Sequence, residues 1–244
     1  GVDFVAVSPG LAPNRELSRI LPAAQERNIP VWGEIELFAQ ALAWLKTDRA
    51  YAPKVIAITG TNGKTTVTTL TGQLCERAGL SVKVAGNISP AALDVLREAM
   101  DNAQSEHSLP QAWVLELSSF QLHTTYSLQA DAATVLNLTQ DHLDWHGSME
   151  AYAAAKEKLF AWPGLKAAVI NLDDPAGVRM AAQVKDAKVI GYTLRSEAEV
   201  AGPAAQLDAR YIVEGHYAVD RRWLHQGLHR ALHRFRTDRR GENL

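Results

Sequence analysis

The sequence predicts an α/β domain with a largely parallel sheet. Short β-branched apolar runs alternate with amphipathic stretches, which is the pattern of repeated strand–helix units. A glycine-rich turn bearing a lysine follows one such run and opens a helix. The 244 residues, 47% apolar and 21% charged, match ordinary globular usage and leave ample material for a buried core.

Taken in order, residues 2–7 (VDFVAV) read as a buried strand with no lead-in after Gly1, as expected of a piece that starts mid-domain. Residues 14–27 read as a helix that Pro22 should kink or split. A short strand is expected around Val31, then a helix over residues 34–45 and a linker at residues 51–54. A second series opens with KVIAI at residues 54–58, short enough for a buried parallel strand. The glycine turn leads into a helix with Val67, Leu70, Leu74 and Ala78 at helical spacing, ended by Gly79. After a strand at residues 82–85, Ser89 and Pro90 read as N-cap and first residue of a helix running to about Met100. Further strands are expected at residues 113–117, 134–138, 167–171 and 189–192, and a helix at residues 149–160.

Several classes are excluded at this level. One cysteine, Cys75, rules out an internal disulfide framework and a cysteine-rich zinc site. No run reaches the ~18 unbroken apolar residues of a membrane span, and the opening GVDFVAVSPG has no basic segment of a secretion signal. A cytoplasmic location is therefore expected. Residues 1–214 hold 18 Lys+Arg against 24 Asp+Glu, so the body does not suggest nucleic-acid binding. Residues 215–244 hold seven Arg, three acids and four of the eight histidines. Trp223, Leu224, Leu228, Leu232 and Phe235 there keep the spacing of a basic amphipathic helix. The abrupt Arg/His enrichment is instead read as a shifted reading frame or a wrong gene end.

Gly60-Thr61-Asn62-Gly63-Lys64-Thr65-Thr66 lies between strand and helix, where backbone N–H groups and a helix N-terminus favour phosphate. Lys64 can reach β/γ-phosphates and the Thr65 hydroxyl can ligate Mg²⁺. Ile58 stands where the general phosphate loop has its first glycine, so the loop is shortened to GxxGK[ST]. Glu116 interrupts the apolar run WVLEL. Alone it reads as a structural ion pair or an edge residue; after a phosphate loop it reads as a Mg²⁺ ligand or water orienter. Ser118 and Ser119 follow it. Asp141, His142, Asp144 and His146 crowd a strand end, as a metal or substrate site would, with a solvated loop as the alternative and an equal one for Asp144 and His146. Lys156 falls beside the apolar stripe Tyr152, Ala155 and Leu159, while Lys158 points away. Such a lysine ordinarily snorkels; if buried, it can lose its proton and become a nucleophile or be modified.

Together these motifs resemble the Mur ligases, ATP-dependent amide-forming enzymes of peptidoglycan synthesis. GTNGKTT matches that family's shortened loop. Residues 115–122 (LELSSFQL) resemble the member joining D-glutamate to UDP-N-acetylmuramoyl-L-alanine, and SPG, GEIELF, GN, DH and AAK fit the same member. The resemblance covers residues 1–195 and implies that residues 1–50 end a Rossmann-like uridine-nucleotide domain. Residues 51–210 would form an incomplete central ATP-binding domain, residues 211–244 an atypical tail, and the C-terminal domain would be absent. At the tail, Arg230 stands where the family has Asn.

The resemblance implies γ-phosphoryl transfer from ATP to the muramoyl-alanine carboxylate, then attack by the D-glutamate amine on the acyl phosphate. It places Lys64 on phosphates, Thr65 and Glu116 on one Mg²⁺, and His142 with a carbamylated Lys156 on a second. Asn87 and His142 would approach the muramoyl-alanine and Ser8 the uridine diphosphate. A monomer is implied, and the piece alone is expected to be inactive. A nucleotide-binding module without catalysis and a folylpolyglutamate-type ligase are the competing readings.

Overall fold

The computed structural model describes residues 1–103 and 108–194, together with the backbone of residues 209–212. The amphipathic helix expected at residues 223–235 lies outside the described residues.

A two-stranded parallel pair comes first: β1 (Val5–Ala6) with β2 (Val31–Trp32). Between them α1 spans Ile20–Glu26, later than the expected start at residue 14. The late start puts Pro22 in the first turn, where a missing N–H costs nothing and no kink is needed. α2 (Glu34–Arg49) outruns its expected end at residue 45 and closes on Ala50 in the left-handed conformation.

Seven parallel strands form the main sheet. They are β3 (Lys54–Thr59), β4 (Val82–Gly86), β5 (Ala112–Glu116), β6 (Ala132–Val135), β7 (Ala167–Asn171), β8 (Lys188–Thr193) and β9 (Ala209–Ile212). Their spatial order is β4-β5-β3-β6-β7-β8-β9. The sixth strand was expected at residues 134–138 and lies earlier, because the chain beyond Val135 bends away to meet residues 59–61.

β3 leads through α3 (Lys64–Arg77) toward β4, and β5 leads through α5 (Ser119–His123) toward β6 on the other side. The adjacent strands β3 and β5 therefore send their connections in opposite directions. A crevice opens between their carboxyl ends, where open α/β sheets place their ligands.

α3 does not bury its leucines. Its buried residues are Thr68 and Gly72, and Leu74 remains 47% exposed. A methyl group at Gly72 would collide with the Val84 side chain, so the helix lies close on the sheet through its small residues. α4 (Ala92–Asp101) begins two residues after Pro90, where it was expected to start. Glu34, from α2, accepts the Leu93 N–H at 2.6 Å and thus does from a distance what Ser89 was expected to do locally. The principal core lies under α2 and α7 (Met149–Ala161), where Phe38 meets Trp113 edge-on at 5.0 Å. Truncating either ring would cost about 3–5 kcal/mol. Two short helices, α6 (Leu143–His146) and α8 (Pro175–Ala181), complete the layers. Among the described residues no helix is long and apolar enough to cross a membrane.

Candidate active site

The turn between β3 and α3 is held by its neighbours more than by itself. Gly63 adopts φ +80°, a left-handed conformation suited to glycine, and is the N-cap residue of α3. Asn137 clasps the turn: its Oδ1 accepts the Asn62 N–H at 2.8 Å and its Nδ2 donates to the Asn62 carbonyl at 3.0 Å. Thr61 Oγ1 accepts the Thr139 N–H at 3.0 Å and lies 3.1 Å from the Tyr152 hydroxyl. Lys64 curls back so that Nζ donates to the carbonyls of Gly60 (3.0 Å) and Thr61 (2.9 Å). Thr66 is exposed on the first turn of α3.

Across the crevice, Glu116 ends β5 and is only 2% exposed. Its Oε2 accepts the Thr65 hydroxyl at 2.7 Å and its Oε1 accepts the Asn87 amide at 2.8 Å. Gly86, at φ +109°, makes the second contact geometrically open, because a side chain there would strike the Glu116 carbonyl oxygen. Among the described residues no ammonium or guanidinium pairs with this carboxylate. A buried carboxylate beside a hydroxyl, with no cationic partner, is a donor set suited to a hard divalent cation.

Lys156 is 1% exposed and brings a second ammonium to the same place. Its Nζ donates to the Gly60 carbonyl at 3.0 Å and to Thr59 Oγ1 at 3.3 Å, and it lies 4.7 Å over the Tyr152 ring. Burial, aided by the charge on Lys64 and opposed by Asp141, pushes its amine down to about 7. Two lysines thus share one carbonyl oxygen. The sequence placed Lys156 beside an apolar stripe; the structure buries it at the glycine turn between β3 and α3.

The histidine segment stands apart in character. His142 is the left-handed N-cap residue of α6, and its ring lies 4.7 Å from Phe120 and 6.2 Å from Tyr152. It is 44% exposed on its side chain and 3.3 Å from Asp141. His142 makes no hydrogen bond to Glu116 or Lys156. His146 instead touches Ser119 Oγ at 2.9 Å, and burial with the nearby His123, Lys156 and His142 pushes it down to about 4. Asp144 is exposed, as a solvated loop residue would be. Among the described residues no three His, Cys, Asp or Glu groups are placed to hold a metal ion by themselves.

Ser8 is exposed and lines a small cavity of ≈40 Å³ with Phe120 and Trp145, whose buried indole N–H has no partner. Several contributors had no signal in the sequence. Tyr152 was counted as packing, yet its hydroxyl reaches the loop. Thr59 fell between the expected strand and the glycine turn. Asn137 was read as part of the strand expected at residues 134–138, and Thr139 as the residue after it. Lys158 was expected to point away, and it does so by donating to the Leu122 carbonyl at 2.7 Å, which anchors α5.

A parallel sheet with helices, a lysine-bearing glycine turn and a buried carboxylate at its carboxyl edge define an α/β class of protein. The Mur ligase middle domain is matched over residues 58–216, and the chain belongs to the Mur ligase family. A UDP-N-acetylmuramoylalanine--D-glutamate ligase of Cupriavidus pinatubonensis is 60% identical over 183 residues, covering 74% of this chain and 36% of that protein. Its namesake in Paraburkholderia phymatum is 62% identical over 175 residues, covering 71% of this chain and 33% of that protein. The chain therefore spans about a third of the length of these relatives. Among solved structures, a UDP-N-acetylmuramoyl-L-alanyl-D-glutamate--2,6-diaminopimelate ligase superposes with TM-score 0.54 at 27% identity, covering 80% of this chain and 48% of that one.

Proposed function

We propose that this chain is the nucleotide-binding part of an ATP-dependent ligase that joins D-glutamate to UDP-N-acetylmuramoyl-L-alanine in peptidoglycan precursor synthesis. The observation that carries the reading is the meeting of Thr65, Glu116 and Asn87 on one side of the loop with Lys64 and Lys156 on the other. Residues 1–50 are read as the end of the uridine-nucleotide domain, with Ser8 toward the uridine diphosphate, and residues 51–210 as the central ATP-binding domain. The likeness to the two D-glutamate ligases supports the choice of substrates.

Bringing a carboxylate to a triphosphate sets two anions against each other, so the site must supply positive charge and hold the reactants in line. The loop N–H groups and Lys64 bind the phosphates, which requires Lys64 to exchange the Gly60 and Thr61 carbonyls for phosphate oxygens. Thr65 and Glu116 would hold a Mg²⁺ that offsets the charge developing on the transferred group. Asn87 holds the Glu116 carboxylate in place and faces the muramoyl-alanine side, with His142. As an ammonium, Lys156 repels a metal; as a carbamate it becomes an anion able to serve, with His142, a second Mg²⁺. An amine pushed down to about 7 is largely neutral at slightly alkaline pH, the form that adds CO₂.

The test is phosphate release by the full-length protein with ATP and UDP-N-acetylmuramoyl-L-alanine, with and without D-glutamate. D-glutamate-dependent release is expected. Release indifferent to D-glutamate, or stimulated by another amino acid instead, would overturn the assignment.

A further inference from the structure

The amino edge of the same sheet carries a second cleft, on the side away from the phosphate loop. Lys54 opens β3, Asp131 precedes β6 and Lys166 precedes β7. Asp131 already acts there as a bound anion. Its Oδ1 accepts from Lys166 Nζ at 2.6 Å and lies 3.4 Å from Lys54 Nζ, while its Oδ2 accepts the Val55 N–H at 3.0 Å. A third lysine, Lys46 of α2, lines the same cavity of ≈280 Å³ and has no ion pair among the described residues. Leu42, Ala43 and Pro53 give the cavity an apolar wall.

The charges do not balance. Three ammonium groups line the cleft with one carboxylate, leaving an excess of two positive charges in a concave site. Lys54 and Lys166 are each more than half exposed, so their heads are free to turn from Asp131 toward a ligand. A single carboxylate ligand would leave the imbalance half met; a phosphate dianion meets it, and three donors suit its oxygens. We propose that this amino-edge cleft binds a phosphate dianion, either free or carried by a small monoester whose organic part rests on the Leu42–Pro53 wall. The proposal does not depend on the activity assigned to the opposite edge.

The experiment must silence the phosphate loop. Full-length protein carrying Lys64→Ala is titrated at pH 8 by calorimetry with inorganic phosphate and, separately, with phenyl phosphate, against chloride at matched ionic strength. Saturable binding is expected, weakened about tenfold or more by the combined Lys46→Gln, Lys54→Gln and Lys166→Gln changes. Tighter binding of phenyl phosphate would identify a monoester as the occupant, and equal binding the free ion. Lys46→Gln alone leaves the Asp131 pairs intact, so it tests the cleft without disturbing the fold and should weaken binding several-fold. Binding no stronger than chloride, or binding unaffected by Lys46→Gln and by the triple change, would overturn the proposal.

Discussion

The two sides of the candidate site are built differently. On the Glu116 side, every polar group already has its partner: Thr65 and Asn87 occupy the two carboxylate oxygens, and short connections from β3, β4 and β5 fix all three. On the Lys156 side, a buried amine leans on a carbonyl and an aromatic ring, and His142 lies among Phe120 and Tyr152 without a hydrogen bond to its supposed co-ligand. One side carries a donor set of the kind that suits a cation. On the proposed reading, the other would become a cation site only after its lysine changed chemical form.

Breaking that contrast is the sharpest test. In the full-length enzyme, Lys156→Ala and Glu116→Ala should each lower kcat by about 10²–10³ or more. Formate or acetate should partly restore the Lys156 variant, because a small carboxylate can stand where the proposed carbamate would. The same acids should do nothing for Glu116→Ala, whose site is shaped by two fixed donors. Equal rescue of both, or of neither, would erase the distinction.

Next in size is Asn87→Ala, which removes a hydrogen bond to the Glu116 carboxylate. The Mg²⁺ concentration for half-maximal activity should rise about 10–100-fold, with a smaller change in the ATP requirement.

The Lys156 side also predicts a pH dependence of stability. Its folded-state amine is pushed down to about 7, while an unfolded lysine titrates near 10.5. Between those values the unfolded chain binds more protons, so this group makes the fold more stable as pH rises from about 7 to 10.5. Urea unfolding at a series of pH values should show that slope reduced in Lys156→Met relative to the parent. An identical slope in both would mean that the amine is not the group responsible. The smallest effect belongs to α5, where Ser118 and Gln121 form a reciprocal cap beside Glu116. Ser118→Ala should cost about 1 kcal/mol in urea denaturation, without the loss of activity seen in the first pair.

The sheet was legible because its strands are short, apolar and β-branched, and because glycine turns punctuate them. The Glu116 side was legible too: a lone carboxylate in WVLEL and a GKT turn announce themselves by their chemical contrast with what surrounds them. What stayed hidden is what depends on contacts between distant residues. Glu34 capping α4 joins positions 59 residues apart, and Asn137 clasping Asn62 joins positions 75 apart. Neither leaves a local pattern. The packing of α3 also misled, since its leucines keep helical spacing while Thr68 and Gly72 face the sheet. Periodicity records which residues are apolar; it does not record how closely a helix must approach its neighbour.

The Gly60 oxygen is shared by Lys64 and Lys156. Whatever anion draws Lys64 outward also removes a like charge from beside its neighbour and brings a negative one nearer. An anion in the turn would therefore raise the proton affinity of Lys156, and the proposed carbamate would form most readily before that anion arrives. On that reading, the order of loading would turn on a single backbone atom.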